Sequence, residues 1–251
     1  MAAHPEAAKI ALPPAIDLRK HLPLPCFDQG DESSCGPNMG SGIMSFYFPD
    51  VATAGGGFSR HQIYHDVRKI EGTGSEDAGV ETRDVFKVLT ETGAAPEAFW
   101  KYEKETFAPT PPPEVYEEAK KYRLSRYSRL TSGSNYLQCL ASGHPFGLGI
   151  TLHESFDDEQ TNRTGIMRMP QPGDPEVGGH DVLCVGYVLN FKSDPLFTRT
   201  GVASELVSDE MLMIRNSWGT SWSRQYRGHF FMPLQFALDN LEGNDAWTGR
   251  P

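Results

Sequence analysis

The residue types with the greatest chemical potential in this chain lie in Gln29-Gly30-Asp31-Glu32-Ser33-Ser34-Cys35. Cys35 opens an apolar run that reads as a helix through Phe48. A thiol at a helix N-terminus feels unpaired N–H groups and the positive end of the dipole, and both favour the nucleophilic thiolate. Gln29 carries an amide that can donate to a developing oxyanion. Such a nucleophile needs a base and a group to orient that base. Of the eight histidines, His180 is the best placed, between Gly178-Gly179 and the apolar strand Val182–Tyr187. Asn216, in Asn216-Ser217-Trp218-Gly219-Thr220-Ser221-Trp222, offers the orienting group. Its amide is expected to accept the imidazole Nδ1–H and leave Nε2 for the thiol, with Trp218 shielding that bond from water.

The elements that must hold these groups divide the chain. Residues 1–13 read as a loose tail, and Pro14–Arg19 as a short extended entry. Helical spacing is read in residues 35–48, 59–70, 80–92 and 113–122, with 52–57 a loop. After the proline-rich connector 109–113 the pattern changes to strands, at 127–130, 145–152, 181–189, 210–216 and 229–232, with a short helix at 136–141. The fold class is therefore α+β, with a mainly helical lobe over 14–108 and a strand-rich lobe over 109–251.

Composition limits the function classes. The chain has 251 residues, 38% hydrophobic and 22% charged, with a net charge of −10. That charge argues against a general nucleic-acid binder. No apolar run is long enough to span a membrane, and no signal peptide is read at the start. Cys26, Cys35, Cys139 and Cys184 contain no CxxC pair, so free thiols in a reducing compartment are expected, without a metal site or cofactor. With no export signal read, an intracellular location is the expectation.

The three segments, in this order, resemble the papain-like (C1) cysteine proteases. Members carry a glutamine six residues before the nucleophile, a glycine-rich approach to a histidine that opens a strand, and an Asn-Ser-Trp-Gly-x-x-Trp run, matching Gln29 with Cys35, Gly178-Gly179-His180, and Asn216–Trp222. Ile16–Arg19 and Leu140–Pro145 are also similar, and residues 68–79 resemble bacterial and viral relatives. The resemblance implies two lobes with the active site between them. It also implies peptide hydrolysis through a thiolate–imidazolium pair and an acyl-enzyme, with Cys35, His180, Asn216 and Gln29 as catalytic residues. Gly79, Gly179 and Trp218 are implied as substrate-binding, with a peptide or protein as substrate and an intracellular or virion-associated monomer as the enzyme. A glycine wall at Gly179 leads to the expectation of a bulky apolar side chain in the main subsite.

The departures set further expectations. Gly36 stands where the family usually has tryptophan, and Glu32 stands where a disulfide cysteine is usual and is expected to point outward. Asp181 replaces a small apolar residue and is expected either to tune His180 upward or to face solvent. Residues 189–209 read as an inserted loop able to occlude the cleft and produce an exopeptidase. The usual propeptide is not read before residue 14, and the tail 1–13 is a candidate cleft cover. A catalytically retired peptide-binding protein and a related acyl-transfer enzyme, deamidase- or transglutaminase-like, remain as alternatives.

Overall fold

A computed structural model describes residues 11–74, 76–198, 200–239 and 245–251. Most of the tail expected to cover the cleft, residues 1–10, lies outside these.

The central helix is α1, Cys35–Tyr47. Ten consecutive residues, Gly36 through Ser45, are buried, with Ile43 and Met44 fully enclosed. A helix apolar on all sides belongs inside a fold, and its glycines and serines let neighbours approach closely. Helix α2, Pro49–Gly55, follows where a loop was expected. Pro49 at the first turn and Gly56 in the left-handed region are ordinary helix boundary signals, hidden here by the neighbouring glycines Gly55–Gly57. Helix α3 is Arg60–Glu71, with the Ser59 hydroxyl accepting from the Gln62 N–H, and α4 is Thr82–Glu91, burying Val85, Phe86, Val88 and Leu89. Shorter helices are α5 Pro113–Ala119, α6 Gly133–Ala141, α7 Glu159–Thr164, α8 Pro195–Thr198 and α9 Leu234–Asp239.

Among the described residues the strands form one seven-stranded antiparallel sheet. They are β1 Ala15–Asp17, β2 Arg126–Arg129, β3 Phe146–His153, β4 Glu176–Val188, β5 Met211–Arg215, β6 His229–Pro233 and β7 Asp245–Arg250. The order is β2-β7-β3-β4-β5-β6, with β1 paired to β4. Strand β7 is absent from the sequence reading because Asp-Ala-Trp-Thr-Gly-Arg lacks a clear apolar alternation, yet it inserts between β2 and β3. Strand β4 starts earlier than expected, at Glu176, and every residue from His180 to Val188 is buried. It lies under α1, so the helix bearing Cys35 and the strand bearing His180 share one hydrophobic core.

The described residues of 189–209, expected to reach the cleft, pack elsewhere. Phe191 packs 4.7 Å from Phe231 and 5.5 Å from Phe197, and the Tyr226 hydroxyl donates to the Leu196 carbonyl at 2.8 Å. These aromatic anchors hold the insertion against β6, and none of its described residues lines the cleft. Among the described residues no helix is long and apolar enough to cross a membrane.

Candidate active site

An open cleft of about 680 Å³ is lined by Gln29, Cys35, Gly79, Gly179, His180 and Trp218 together, while Asn216 stands behind His180. The sequence-predicted residues thus converge from four separate segments.

Cys35 is half-buried at the first turn of α1. Beneath it a polar cluster fixes the helix end. Asn38 Nδ2 donates to the Ser34 carbonyl at 2.9 Å and accepts at Oδ1 from Arg60 at 3.2 Å. Arg60 pairs with Glu97 at 2.6 Å and stacks 3.8 Å over Tyr102, whose hydroxyl donates to the Gln29 carbonyl at 2.8 Å. The loop before Cys35 is also laced to the Asn216 turn. The Gln29 N–H donates to the Ser217 carbonyl at 2.8 Å, and the Ser217 hydroxyl donates to Gln29 Oε1 at 2.6 Å. The Gln29 Nε2 group donates to the Glu32 carbonyl at 2.7 Å. That leaves one of its two hydrogens for the cleft.

His180 Nε2–H donates to Asn216 Oδ1 at 2.7 Å, and the same oxygen accepts the Ser217 N–H at 2.8 Å. This corrects the expected tautomer: the distal ring nitrogen reaches from β4 to the turn after β5, so Nδ1 is the one left for the cleft. Trp218 covers the ring, with centroids 5.1 Å apart. Burial pushes His180 down to about 4, the Asn216 bond partly opposing it. Burial pushes the Cys35 thiol up to about 12, and the Asp181 carboxylate adds to that rise. The backbone N–H groups of Asp181, Gly36 and Cys35 act in the opposite direction. Burial thus favours the uncharged form of both groups.

Two departures find partners. Glu32 does not point outward: its carboxylate accepts from His61 Nε2 at 2.9 Å, and His61 Nδ1 meets the Thr106 hydroxyl at 2.7 Å. This contact ties the Cys35 loop to α3 where the resemblance implies a disulfide, and all four cysteines are free. Asp181 does not face solvent, and His180 beside it is lowered, not tuned upward. The aspartate is 6% exposed, accepts from the Thr82 hydroxyl, and leaves Oδ2 without a hydrogen-bond partner. Sequence reasoning missed Thr82, Ser217 and Arg215, which donates to the Leu24 and Pro25 carbonyls and braces the entry to the loop. Only Ser217 had a signal, its place inside the Asn-Ser-Trp-Gly run.

No protein-family profile matches the chain. Among solved structures, it is similar to xylellain, a cysteine protease from Xylella fastidiosa, at TM-score 0.80 and 28% identity, covering 96% of this chain and 87% of that one. It is also similar to digestive procathepsin L 3 of Tenebrio molitor larval midgut, at TM-score 0.71 and 18% identity, covering 97% and 72%. An uncharacterized peptidase C1-like protein of Acanthamoeba polyphaga mimivirus is 30% identical over 248 residues, 92% of this chain and 73% of that protein. With that identity over most of both proteins, and a fold shared with xylellain, the chain belongs to the papain-like C1 cysteine peptidases.

Proposed function

We propose that the chain hydrolyses peptide bonds with Cys35 as nucleophile, His180 as acid and base, Asn216 as the group that orients His180, and Gln29 as an oxyanion donor. The observation that carries this reading is the 2.7 Å bond from His180 Nε2 to Asn216, on a cleft that Cys35 and Gln29 also line. His180 Nδ1 takes the Cys35 proton, and the thiolate forms a C–S bond to the scissile carbonyl carbon. The carbonyl oxygen becomes an anion held by the free Gln29 Nε2 hydrogen and the Cys35 backbone N–H. The C–N bond then breaks and the imidazolium gives its proton to the leaving amine. Water, deprotonated by His180, attacks the thioester; the acid leaves and the thiol is restored. Gly79, Gly179 and Trp218 form the walls that hold the peptide.

A peptidyl epoxide probe and an unbiased peptide library, applied to the full chain and to Cys35→Ala, test the reading. Labelling of Cys35 and cleavage lost in Cys35→Ala are the expected results. Absence of both label and cleavage would identify a retired peptide-binding protein. Label without cleavage would redirect the chemistry to acyl transfer on a side chain.

A further inference from the structure

The cleft is charged on one sign only. Six carboxyl side chains line it, and no lysine or arginine does so among the described residues. Glu32 is already engaged by His61. Four others, Glu71, Glu81, Asp181 and Asp245, gather on the side of Thr82 and Gly149.

The sheet register explains the gathering. Gly149 of β3 pairs with Asp181 of β4 on one side and Asp245 of β7 on the other, so the three form a row across three strands. Cross-strand partners project from the same face. A Cβ at Gly149 would lie 3.3 Å from the Asp245 Cβ and 3.4 Å from Asp181 Oδ1. The missing side chain is thus a gap between two carboxyl groups. Asp181 is 6% exposed and its Oδ2 has no hydrogen-bond partner. Its Oδ1, held by the Thr82 hydroxyl, faces that gap, and a buried carboxyl group beside three other acids is a costly arrangement that a cation entering the gap relieves. Among the described residues no group of carboxyls is placed to hold a metal ion.

We propose that this end of the cleft is a subsite for a basic side chain of the substrate, an arginine or lysine close to the scissile bond. A guanidinium or ammonium there meets Asp245 and Glu81 at the rim and Asp181 at depth, in a cleft whose overall negative charge draws basic peptides in. The room beside Gly179, where the sequence predicts an apolar side chain, is continuous with this cleft end; the lining charge changes the occupant. The proposal rests on the peptidase reading above and extends it to substrate class.

A positional peptide library cleaved by the full chain tests it, with labelling of Cys35 by a neutral peptidyl epoxide measured in parallel. We expect one position beside the scissile bond to favour arginine or lysine over leucine by about tenfold or more in kcat/KM. The preference should weaken as ionic strength rises. Asp245→Asn and the exposed Glu81→Gln, made separately so that one folding failure does not decide the matter, should each reduce the ratio severalfold while the neutral epoxide still labels Cys35. Cleavage with leucine or glutamate preferred at every position overturns the proposal and leaves the peptidase reading intact. A basic preference unchanged in both variants also overturns it. Loss of both labelling and cleavage in the wild-type chain removes both.

Discussion

Asp181 Oδ2 occupies the space that a side chain at Gly36 would need: a Cβ there would lie 2.7 Å from it and 2.6 Å from Val80 Cγ2. The residue after the proposed base and the residue after the proposed nucleophile are thus fitted to each other. The two departures from the family pattern, glycine for tryptophan and aspartate for a small apolar residue, are one packing solution. Gly36→Ala should destabilise the protein by about 1–3 kcal/mol through overpacking of a buried helix start. Urea unfolding measures it. Adding Asp181→Ala should recover part of the loss, Val80 retaining the rest; strict additivity would show that the two sites are uncoupled.

Asp181 also makes stability depend on pH. Burial pushes its carboxyl up to about 7, opposed by the Thr82 hydroxyl from α4 and reinforced by Asp245 on β7, Glu81 before α4 and Glu71 on α3. Across from it stand Cys35 on α1 and its own neighbour His180. An acid raised by folding contributes fully below its unfolded value and loses that contribution as pH rises through the folded one. Asp181→Asn should therefore be more stable than wild type at pH 8, by about 2–4 kcal/mol, with the two converging near pH 4. Denaturant midpoints at both pH values decide it, and a gap that is constant with pH would refute the assignment.

The same carboxylate raises the thiol pKa of Cys35. Removing it in Asp181→Asn should shift the rise in alkylation rate of Cys35 to lower pH. Iodoacetamide kinetics across pH 5–9 give the profile; a shift to higher pH would place the charge effect elsewhere.

Asn216→Ala strips His180 Nε2–H and the Ser217 N–H of a shared acceptor. Turnover should fall by roughly 10²-fold, with KM little changed, because ring orientation matters most in proton transfer. Gln29→Ala should lower kcat by roughly 10²–10³ through loss of an oxyanion donor. Equal losses in binding of a non-hydrolysable peptide would instead indicate general damage to the cleft.

Glu32→Ala leaves the fully buried His61 ring without its acceptor. Burial holds His61 below the ordinary histidine range, so the ring is neutral at pH 7 and donates through Nε2. The change should cost about 1–3 kcal/mol. Thermal unfolding measures it, and His61→Ala made with it should add little beyond its own packing loss, because the pair acts as one contact.

Much of the site was legible because its signals are local. A cysteine opening an apolar helix, a histidine at a strand entry after two glycines, and an Asn-Ser-Trp-Gly turn each declare themselves within a few residues. The order of these segments gave the family resemblance, and buried apolar runs gave most helices and strands. What the sequence withheld depends on register and contact between distant segments. The ring nitrogen that meets Asn216 is set by the reach from β4 to the turn after β5. The Glu32–His61 contact joins residues on separate elements. The placement of 189–209 against β6 follows from where Phe191 and Phe197 find a partner. Strand β7 carries too few apolar residues to announce itself, yet its pairing with β3 brings Asp245 into line with Asp181. The sequence by itself determined the chemistry available to this protein, because reactive groups and turn residues are specified one position at a time. The tertiary structure decided the charge and shape of the surface around that chemistry, because three strands must pair in one register before Asp181, Gly149 and Asp245 become neighbours.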